Sequence, residues 1–378
     1  MPRAARAGLG EFASWLVAAC IAAAATASAA APAESAAAQP PYAAVTNDHP
    51  IEFPRDFGSH PSFRTEWWYA TGWLSPAGTG GPGESLGFQV TFFRSRPAID
   101  AANPSAFTPH QLVIAHCALS DPQRGRLWQD QKIRRTGMGL ARAAEGDTDI
   151  QVESWTLRRT GDVYAVNVAA EEFALHLELA PTQAPLLNGE RGVSRKGAAP
   201  QAASYYYSLP HLAVRGTIVR NGRREGVQGE AWLDHEWSSE YLESGAVGWD
   251  WIGINFADGA ALMAFEIRGA RHEALWAGGT FRAAQGAAQS LAPDQVSFVP
   301  RRTWRSPRTG TAYPVEWHVH AGTRELDLKP LMDDQENDTR LSTGAVYWEG
   351  AVRAYEAGHV TGRGYLELTG YQAPLSLR

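Results

Sequence analysis

Cysteine is almost absent from this chain of 378 residues, which contains only Cys20 and Cys117. If Cys20 belongs to a leader that is removed, one cysteine remains, and a single cysteine cannot form an internal disulfide. The mature protein must then be stable through its core alone. Cys117 lies in the apolar run VIAHCALS, which favours a small buried side chain over a nucleophile.

An excess of basic residues is also missing. The formal net charge is -6 and the pI is about 6.0, so no basic surface indicates a nucleic-acid partner. The Gly-x-Ser-x-Gly pattern of serine hydrolases occurs once, as GESLG at residues 83–87, but the glycine-rich stretch GTGGPGESLG that contains it is followed by no helical pattern, which a nucleophile elbow between a strand and a helix requires. That stretch therefore predicts a hairpin loop and not a phosphate cradle. Because no histidines show a clear metal-ligand spacing, we expect no metal site.

The N-terminal 30 residues have the pattern of an export signal. Arg3 and Arg6 precede the apolar run FASWLVAACIAAAATASAA, which ends in Ala-x-Ala steps. This run is mostly alanine, too weakly apolar for a permanent membrane anchor. We expect cleavage near residue 30, a disordered tether over residues 31–46, and an exported protein, periplasmic or secreted. A lipoprotein signal that uses Cys20 is the alternative.

Beyond the leader, strand patterns dominate. Short runs rich in Trp, Tyr, Phe, Val and Ile alternate with turn residues, as in TEWWYATGWL, LGFQVTFFRS and GWDWIGINF. So many short strands predict an all-β sandwich or barrel. The order of Trp-rich strand, hairpin strand and glycine turn recurs once. We therefore expect two β-barrels, over residues 47–210 and 211–378. Fourteen tryptophans favour large cores or an apolar ligand cavity.

The stretch GEAWLDHEWSSEYL places ionisable residues between two tryptophans. As a strand, it puts Asp234 and Glu236 on one face and His235 and Trp237 on the other. Two carboxyls on one face repel unless one is protonated or paired, and a raised pKa suits a general acid. The alternative is the end of a surface strand with solvated carboxylates.

Other strands also carry an acid among apolar neighbours. Asp250 in WDWIGINF shares a face with Ile252, so it is either a hydrogen-bonded structural group or a perturbed functional carboxyl. Glu266 shares a face with Arg268, which offers it an ion pair. In TEWWYATGWL the adjacent Trp67 and Trp68 fall on opposite faces of the predicted strand, and packing in the core alone is one interpretation of both.

Several of these motifs, in order, resemble the AttH-like and carotenoid 1,2-hydratase (CrtC-like) family of lipocalin-like predicted secreted hydrolases. They are HPIEFPRDFGSHPSFRTEWWYATGWL, LGFQVTFFRSR, GEAWLDHEW, GWDWIGINFADGAALM, VYWEGAV and GRGYLELTGY, spread over residues 47–378. The resemblance implies two lipocalin-like antiparallel barrels. It also associates acid chemistry with the region that matches DHEW, so that His235 and Trp237 carry over most directly.

The resemblance leaves the reaction open. Acid hydration of an alkene needs a proton donor, for which Asp234, Glu236 and Asp250 are candidates, an aromatic face that stabilises a carbocation, assigned to Trp237, and an orienting base, assigned to His235. The expected ligand is an apolar isoprenoid or lipid, which the protein hydrates or isomerises without a cofactor. We expect ligand contacts from five aromatic residues: Trp67, Trp68, Tyr69, Trp249 and Trp251.

The same apolar cavity would also suit a lipid carrier or chaperone that catalyses no reaction and serves an envelope transport system. Ester hydrolysis is a third and weaker alternative. In either of the first two cases the expected partners are an apolar small molecule or lipid and envelope transport proteins, with peripheral membrane association and no nucleic acid.

Overall fold

The computed structural model describes residues 42–78, 85–99, 103–105 and 107–375. Within them lie 23 strands, two short 3-10 turns at Arg55–Phe57 and Pro293–Gln295, and no α-helix, which confirms the all-β prediction. The predicted export signal, Cys20 and residues 31–41 of the predicted tether lie outside the described residues. No helix in the described part of the chain has the length and hydropathy of a membrane span.

The first sheet has 13 antiparallel strands in the order β4-β3-β2-β1-β13-β12-β9-β8-β7-β6-β5, with β10 and β11 paired to β12. Strands β3 and β4 at one end of this order contact β5 and β6 at the other, so the sheet is nearly closed into a barrel. The strands are β1 (Thr65–Pro76), β2 (Leu86–Ser95), β3 (Leu112–Ser120), β4 (Trp128–Arg135), β5 (Ala141–Ala143), β6 (Asp149–Val152), β7 (Trp155–Thr160), β8 (Val163–Ala169), β9 (Phe173–Pro181), β10 (Leu186–Leu187), β11 (Val193–Arg195), β12 (Ala203–Arg220) and β13 (Arg223–Glu240).

The second sheet has 10 antiparallel strands in the order β17-β16-β15-β14-β23-β22-β20-β19-β18, with β21 paired to β22. Strands β15 and β16 contact β18, which brings the two ends of this sheet together as well. The strands are β14 (Ala246–Phe256), β15 (Ala261–Gly269), β16 (Ala274–Arg282), β17 (Ala288–Leu291), β18 (Val296–Arg305), β19 (Ala312–Ala321), β20 (Arg324–Pro330), β21 (Glu336–Thr339), β22 (Ala345–Glu356) and β23 (His359–Leu368). The protein therefore consists of two lipocalin-like antiparallel barrels.

Three apolar cores follow from the period of two along each strand. One fills the first barrel, one fills the second, and the third lies between the two sheets. Strand β14 shows how one strand serves two cores, because Ile252 and Ile254 belong to the second barrel whereas Trp251 belongs to the core between the sheets. Burying a side chain of this size contributes about 1.5–3 kcal/mol to stability.

Two of the predicted boundaries differ from the strand pairing. The division expected between residues 210 and 211 falls inside β12, and the sheets divide instead between Glu240 and Ala246. Strands β12 and β13 remain with the first sheet because β13 pairs along its length with β1. The predicted disordered tether also extended too far, since the backbone of Thr46 exchanges hydrogen bonds with the Tyr205 hydroxyl of the first barrel.

Candidate active site

A cavity of about 310 Å³ lies between the two sheets. Its wall is mainly aromatic and aliphatic, as expected of a site for an apolar ligand. Four carboxyl side chains also face it, two from the first sheet and two from the second. The apolar wall includes Trp67, Phe93, Ile114, Trp249, Trp251 and Phe265, and the carboxyls are Asp234, Glu236, Glu349 and Glu367.

The first two carboxyls, those of Asp234 and Glu236, lie on the same face of β13, as the predicted alternation requires. Asp234 is buried and accepts hydrogen bonds from Trp232 Nε1 (2.6 Å), Ser208 Oγ (2.5 Å) and Tyr206 Oη (2.6 Å). The indole of Trp251 donates in turn to the Tyr206 hydroxyl at 3.0 Å. Burial raises the pKa of Asp234 to about 7, against these three hydrogen bonds, which favour the carboxylate. Asp234 thus orients Tyr206 of the first barrel directly, and Trp251 of the second barrel through the Tyr206 hydroxyl.

Glu236 has a cation beside it. Lys196 Nζ lies 2.8 Å from Glu236 Oε1, both side chains are buried, and the Ser204 hydroxyl also donates to Oε1. The lysine ammonium lies over the rings of Phe265 and Tyr206, at 4.2 and 4.9 Å from their centroids. Glu236 Oε1 is therefore occupied by an ammonium and a hydroxyl donor within the buried wall of the cavity.

The second pair of carboxyls comes from a hairpin of the second barrel. Glu349 on β22 and Glu367 on β23 are direct cross-strand partners. Burial raises the pKa of Glu367 to about 7, and burial together with the charge of Glu367 raises that of Glu349 well above its ordinary value. Glu367 accepts a hydrogen bond from Trp249 Nε1 at 2.9 Å. Two acids facing each other in an apolar site cannot both ionise, so the pair retains a proton at neutral pH.

His235 and Trp237 lie on the opposite face of β13, inside the first barrel. His235 Nε2 donates to Glu66 Oε1 at 2.8 Å, and the Tyr207 hydroxyl donates to His235 Nδ1 at 3.0 Å. Burial lowers the pKa of His235 to about 4, which agrees with a neutral ring. Trp237 stacks on His60 with ring centroids 3.7 Å apart and an interplanar angle of 7°.

The face of β13 that was predicted as the site wall therefore points away from the cavity. His235 and Trp237 belong to the core of the first barrel, as does Trp68, which stacks on His235 at 4.4 Å. The group beside Trp237 is His60, whose pKa is raised, in spite of burial, by the nearby carboxylates of Glu66 and Asp56. Trp237 thus stacks on an imidazole within the barrel and does not line the cavity.

The interior of the first barrel also contains a candidate metal-binding group. Ligand atoms of His60, Glu66 and His235 lie within 4.8 Å of one another, the one such group among the described residues. The acceptor oxygens of Glu66 are already used, because Oε1 bonds both imidazoles and Oε2 bonds Arg94 Nε at 2.7 Å. A metal ion would have to displace these bonds next to a guanidinium. We interpret the group as an ion-pair network that fixes the barrel.

Asp250 does not reach the cavity either. It is fully buried in the second barrel, where Arg268 Nε lies 2.8 Å from Oδ2 and the Tyr371 hydroxyl donates to Oδ1 at 3.0 Å. The structure thus places Asp250, a predicted catalytic candidate, in an ion pair away from the cavity. Arg268, expected to pair with Glu266, pairs with Asp250 instead, and burial raises the pKa of Glu266 to about 7.

A chain of hydrogen bonds joins the barrels at one edge of the cavity. His116 Nε2 lies 2.9 Å from Ser342 Oγ, and His116 Nδ1 lies 3.0 Å from Tyr347 Oη. Ser342 follows Leu341, whose side chain is 88% exposed, so this loop marks the place where the cavity meets solvent. Burial lowers the pKa of His116 to about 3, so it adds no positive charge to the cavity.

Four of the five aromatic residues predicted to contact a ligand do line the cavity: Trp67, Tyr69, Trp249 and Trp251. The residues that sequence reasoning missed are Lys196, Glu349 and Glu367. The two glutamates interrupt apolar runs, VYWEGAV and GYLELTG, with the same pattern that drew attention to Asp250. Lys196 lies in a loop-like stretch of the sequence, where no pattern indicates a functional residue.

Comparison with known proteins places the chain in a family. A family model described as AttH-like matches residues 44–371. The chain belongs to the AttH-like family. A crystal structure from Nitrosomonas europaea that carries the name AttH is 51% identical, with a TM-score of 0.81 over 87% of this chain and 99% of that one.

A second similar structure is that of kievitone hydratase from Nectria haematococca. It aligns with a TM-score of 0.65 over 89% of this chain and 97% of that one. At 13% identity this likeness concerns the fold alone. A search of curated proteins found no match.

Proposed function

We propose that this AttH-like protein binds an apolar isoprenoid or lipid molecule between its barrels and hydrates or isomerises a carbon–carbon double bond by acid catalysis. One observation carries the proposal: Glu349 and Glu367 are direct cross-strand partners that both line a buried aromatic cavity, where burial raises the pKa of each. The fold shared with a hydratase supports it at the level of architecture. A passive carrier would have no need of a protonated acid in its cavity.

In the proposed reaction the glutamate pair supplies one proton and takes one back. The protonated member of the pair gives its proton to one alkene carbon, and the electrons of the double bond form the new C–H bond. A carbocation remains on the other carbon. The faces of Trp67, Trp249 and Trp251 and the remaining carboxylates stabilise it. For hydration, water forms the C–O bond and returns a proton to the pair. For isomerisation, the cation loses a proton from a neighbouring carbon to the pair.

Asp234 and Glu236 have supporting roles in this scheme. Asp234 holds the Tyr206 hydroxyl, and through it the Trp251 indole, in place on the cavity wall. Glu236 is neutralised by Lys196. Both were predicted as proton donors. Asp234 already accepts three hydrogen bonds and Glu236 lies against an ammonium, so we assign the transferred proton to the glutamate pair instead.

We also propose that the protein acts outside the cytoplasm, as the leader over residues 1–30 suggests, with lipid attachment through Cys20 as the alternative. In that compartment it would meet membrane-derived apolar molecules. The proteins of an envelope transport system, and the membrane surface itself, are the partners that fit this location.

The test is to purify the full chain from its own host, extract its bound small molecule, and return that molecule to fresh protein in heavy-oxygen water. A hydratase incorporates one heavy oxygen into the product, and an isomerase returns a product of unchanged mass with a moved double bond. Recovery of the molecule unchanged, with wild-type protein and with Glu349→Gln alike, would identify a carrier and sink the proposed reaction.

A further inference from the structure

Two polar atoms of the cavity lack partners. The Tyr69 hydroxyl and Glu349 Oε1 are both buried, and neither has a partner at ordinary hydrogen-bond distance and angle among the described residues, although the two side chains stand close enough for each to shift the other's pKa. The two side chains are 6% and 2% exposed, and both residues line the cavity. Buried polar groups are nearly always satisfied in folded proteins, so two orphans in one cavity indicate an atom supplied from outside the chain.

The two orphans belong to the same end of the cavity. Glu349 and then Glu367 are the charges that, after burial, raise the pKa of Tyr69. Tyr241 also presents an unpartnered hydroxyl to the cavity, but the charges that act on it are those of Glu236 and Glu66. Tyr69 and Tyr241 therefore stand beside different carboxyls, and of these two tyrosines Tyr69 is the one beside the glutamate pair.

We propose that Tyr69 and Glu349 form a subsite for one neutral hydroxyl oxygen of the ligand. This inference rests on the proposed function: before addition the subsite holds the reacting water, and afterwards it holds the tertiary hydroxyl of the product. A hydroxyl oxygen suits both orphans because it accepts from the phenol and exchanges a proton with the carboxyl. Water at this place lies beside the pair that takes up its proton.

The same cavity discriminates against an anionic head group. Among its described lining residues Lys196 is the one lysine or arginine, and Glu236 already neutralises it. A ligand carboxylate or phosphate would lose its water next to further acids without gaining a cation. The subsite therefore selects an alcohol over the acid with the same carbon skeleton.

The test uses saturated ligands, which bind but cannot react. They are the isoprenoid hydrocarbon farnesane, the same skeleton with a terminal tertiary hydroxyl, and the same skeleton with a terminal carboxylate. Quenching of tryptophan fluorescence in the full-length protein reports binding, because three tryptophans line the cavity. We expect the alcohol to bind about tenfold more tightly than the hydrocarbon, and the carboxylate to bind no better than the hydrocarbon.

Tyr69→Phe is expected to remove the preference for the alcohol and to leave the affinity for farnesane unchanged, which also shows that the variant is folded. Tyr241→Phe is the matched control and is expected to keep the preference. Equal affinity for all three ligands, tighter binding of the carboxylate, or loss of the preference in Tyr241→Phe instead would overturn the subsite while leaving the proposed reaction intact. Failure of all three to bind would contradict the proposed ligand class and the subsite with it.

Discussion

Glu349 and Glu367 lie directly opposite each other on β22 and β23, and both side chains face the cavity between the barrels. Like charges at directly opposed positions of two strands are destabilising, and burial increases that cost. The pair lowers this cost by holding a proton. A protonated carboxyl in an aromatic cavity is the chemical group that alkene hydration requires, and this relationship is the basis of the proposed activity.

Replacing either glutamate of the pair should lower the catalytic activity and leave the stability of the fold nearly unchanged. We expect Glu349→Gln and Glu367→Gln each to lower turnover by about 100-fold or more, because an amide cannot donate the proton. Neither variant should be less stable than the wild type by more than about 1 kcal/mol, since each removes a repulsion between buried acids. Turnover assays and denaturant unfolding measure the two effects. Full activity in both variants would rule the pair out as proton donor.

Stability should depend on pH through Glu367. Its pKa is raised from 4.5 to about 7 in the folded protein. Its contribution is therefore fully present below pH 4.5 and is lost as the pH rises toward 7. We expect the free energy of unfolding to fall by roughly 3 kcal/mol over this interval from this group. Glu367→Gln should reduce the slope without abolishing it, because Asp234 and Glu266 also have raised pKa values, and an unchanged slope in that variant would contradict the assignment.

Lys196 should be more important for stability than a surface lysine. Lys196→Met leaves Glu236 buried without its cation, and we expect a loss of about 3–5 kcal/mol in denaturant unfolding. The double variant Lys196→Met/Glu236→Leu is the control and should recover much of that loss, because the uncompensated charge is gone. A loss below about 1 kcal/mol in the single variant would mean that the ion pair is not formed.

The two faces of β13 should respond differently to substitution. Trp237→Phe weakens the stacking on His60, so we expect a lower His60 pKa by NMR and a loss of about 1–2 kcal/mol in stability, with ligand affinity unchanged. Trp251→Phe is the matched change on the cavity wall, and it should weaken ligand binding. If Trp237→Phe lowered affinity more than Trp251→Phe did, the site would lie inside the first barrel after all.

The sequence was sufficient for the fold class and for the alternation along β13, because both follow from the local period of two. It did not reveal which face of β13 looks into the cavity. That depends on how the second barrel packs against the first, as the opposite positions of Trp67 and Trp68 illustrate.

The glutamate pair was hidden for a different reason. Glu349 and Glu367 belong to separate motifs, and only the register of the β22–β23 hairpin places them opposite each other. Each looked like an isolated acid in an apolar strand, a pattern that also describes the structural Asp250. An isolated acid in an apolar strand therefore shows only that a carboxyl is needed there. The group that it contacts in the folded protein, a cation for Asp250 or a second acid for Glu349, decides whether its role is structural or chemical.

The most direct measurement is the infrared spectrum of the protein at pH 7, compared with that of a Glu349→Gln/Glu367→Gln double variant. We expect the wild type to show the carbonyl band of a protonated carboxylic acid, and this band should be absent from the double variant. The band should also shift when the wild-type protein is transferred to heavy water. If the two spectra are the same in that region at pH 7, the pair holds no proton, and the central claim is contradicted.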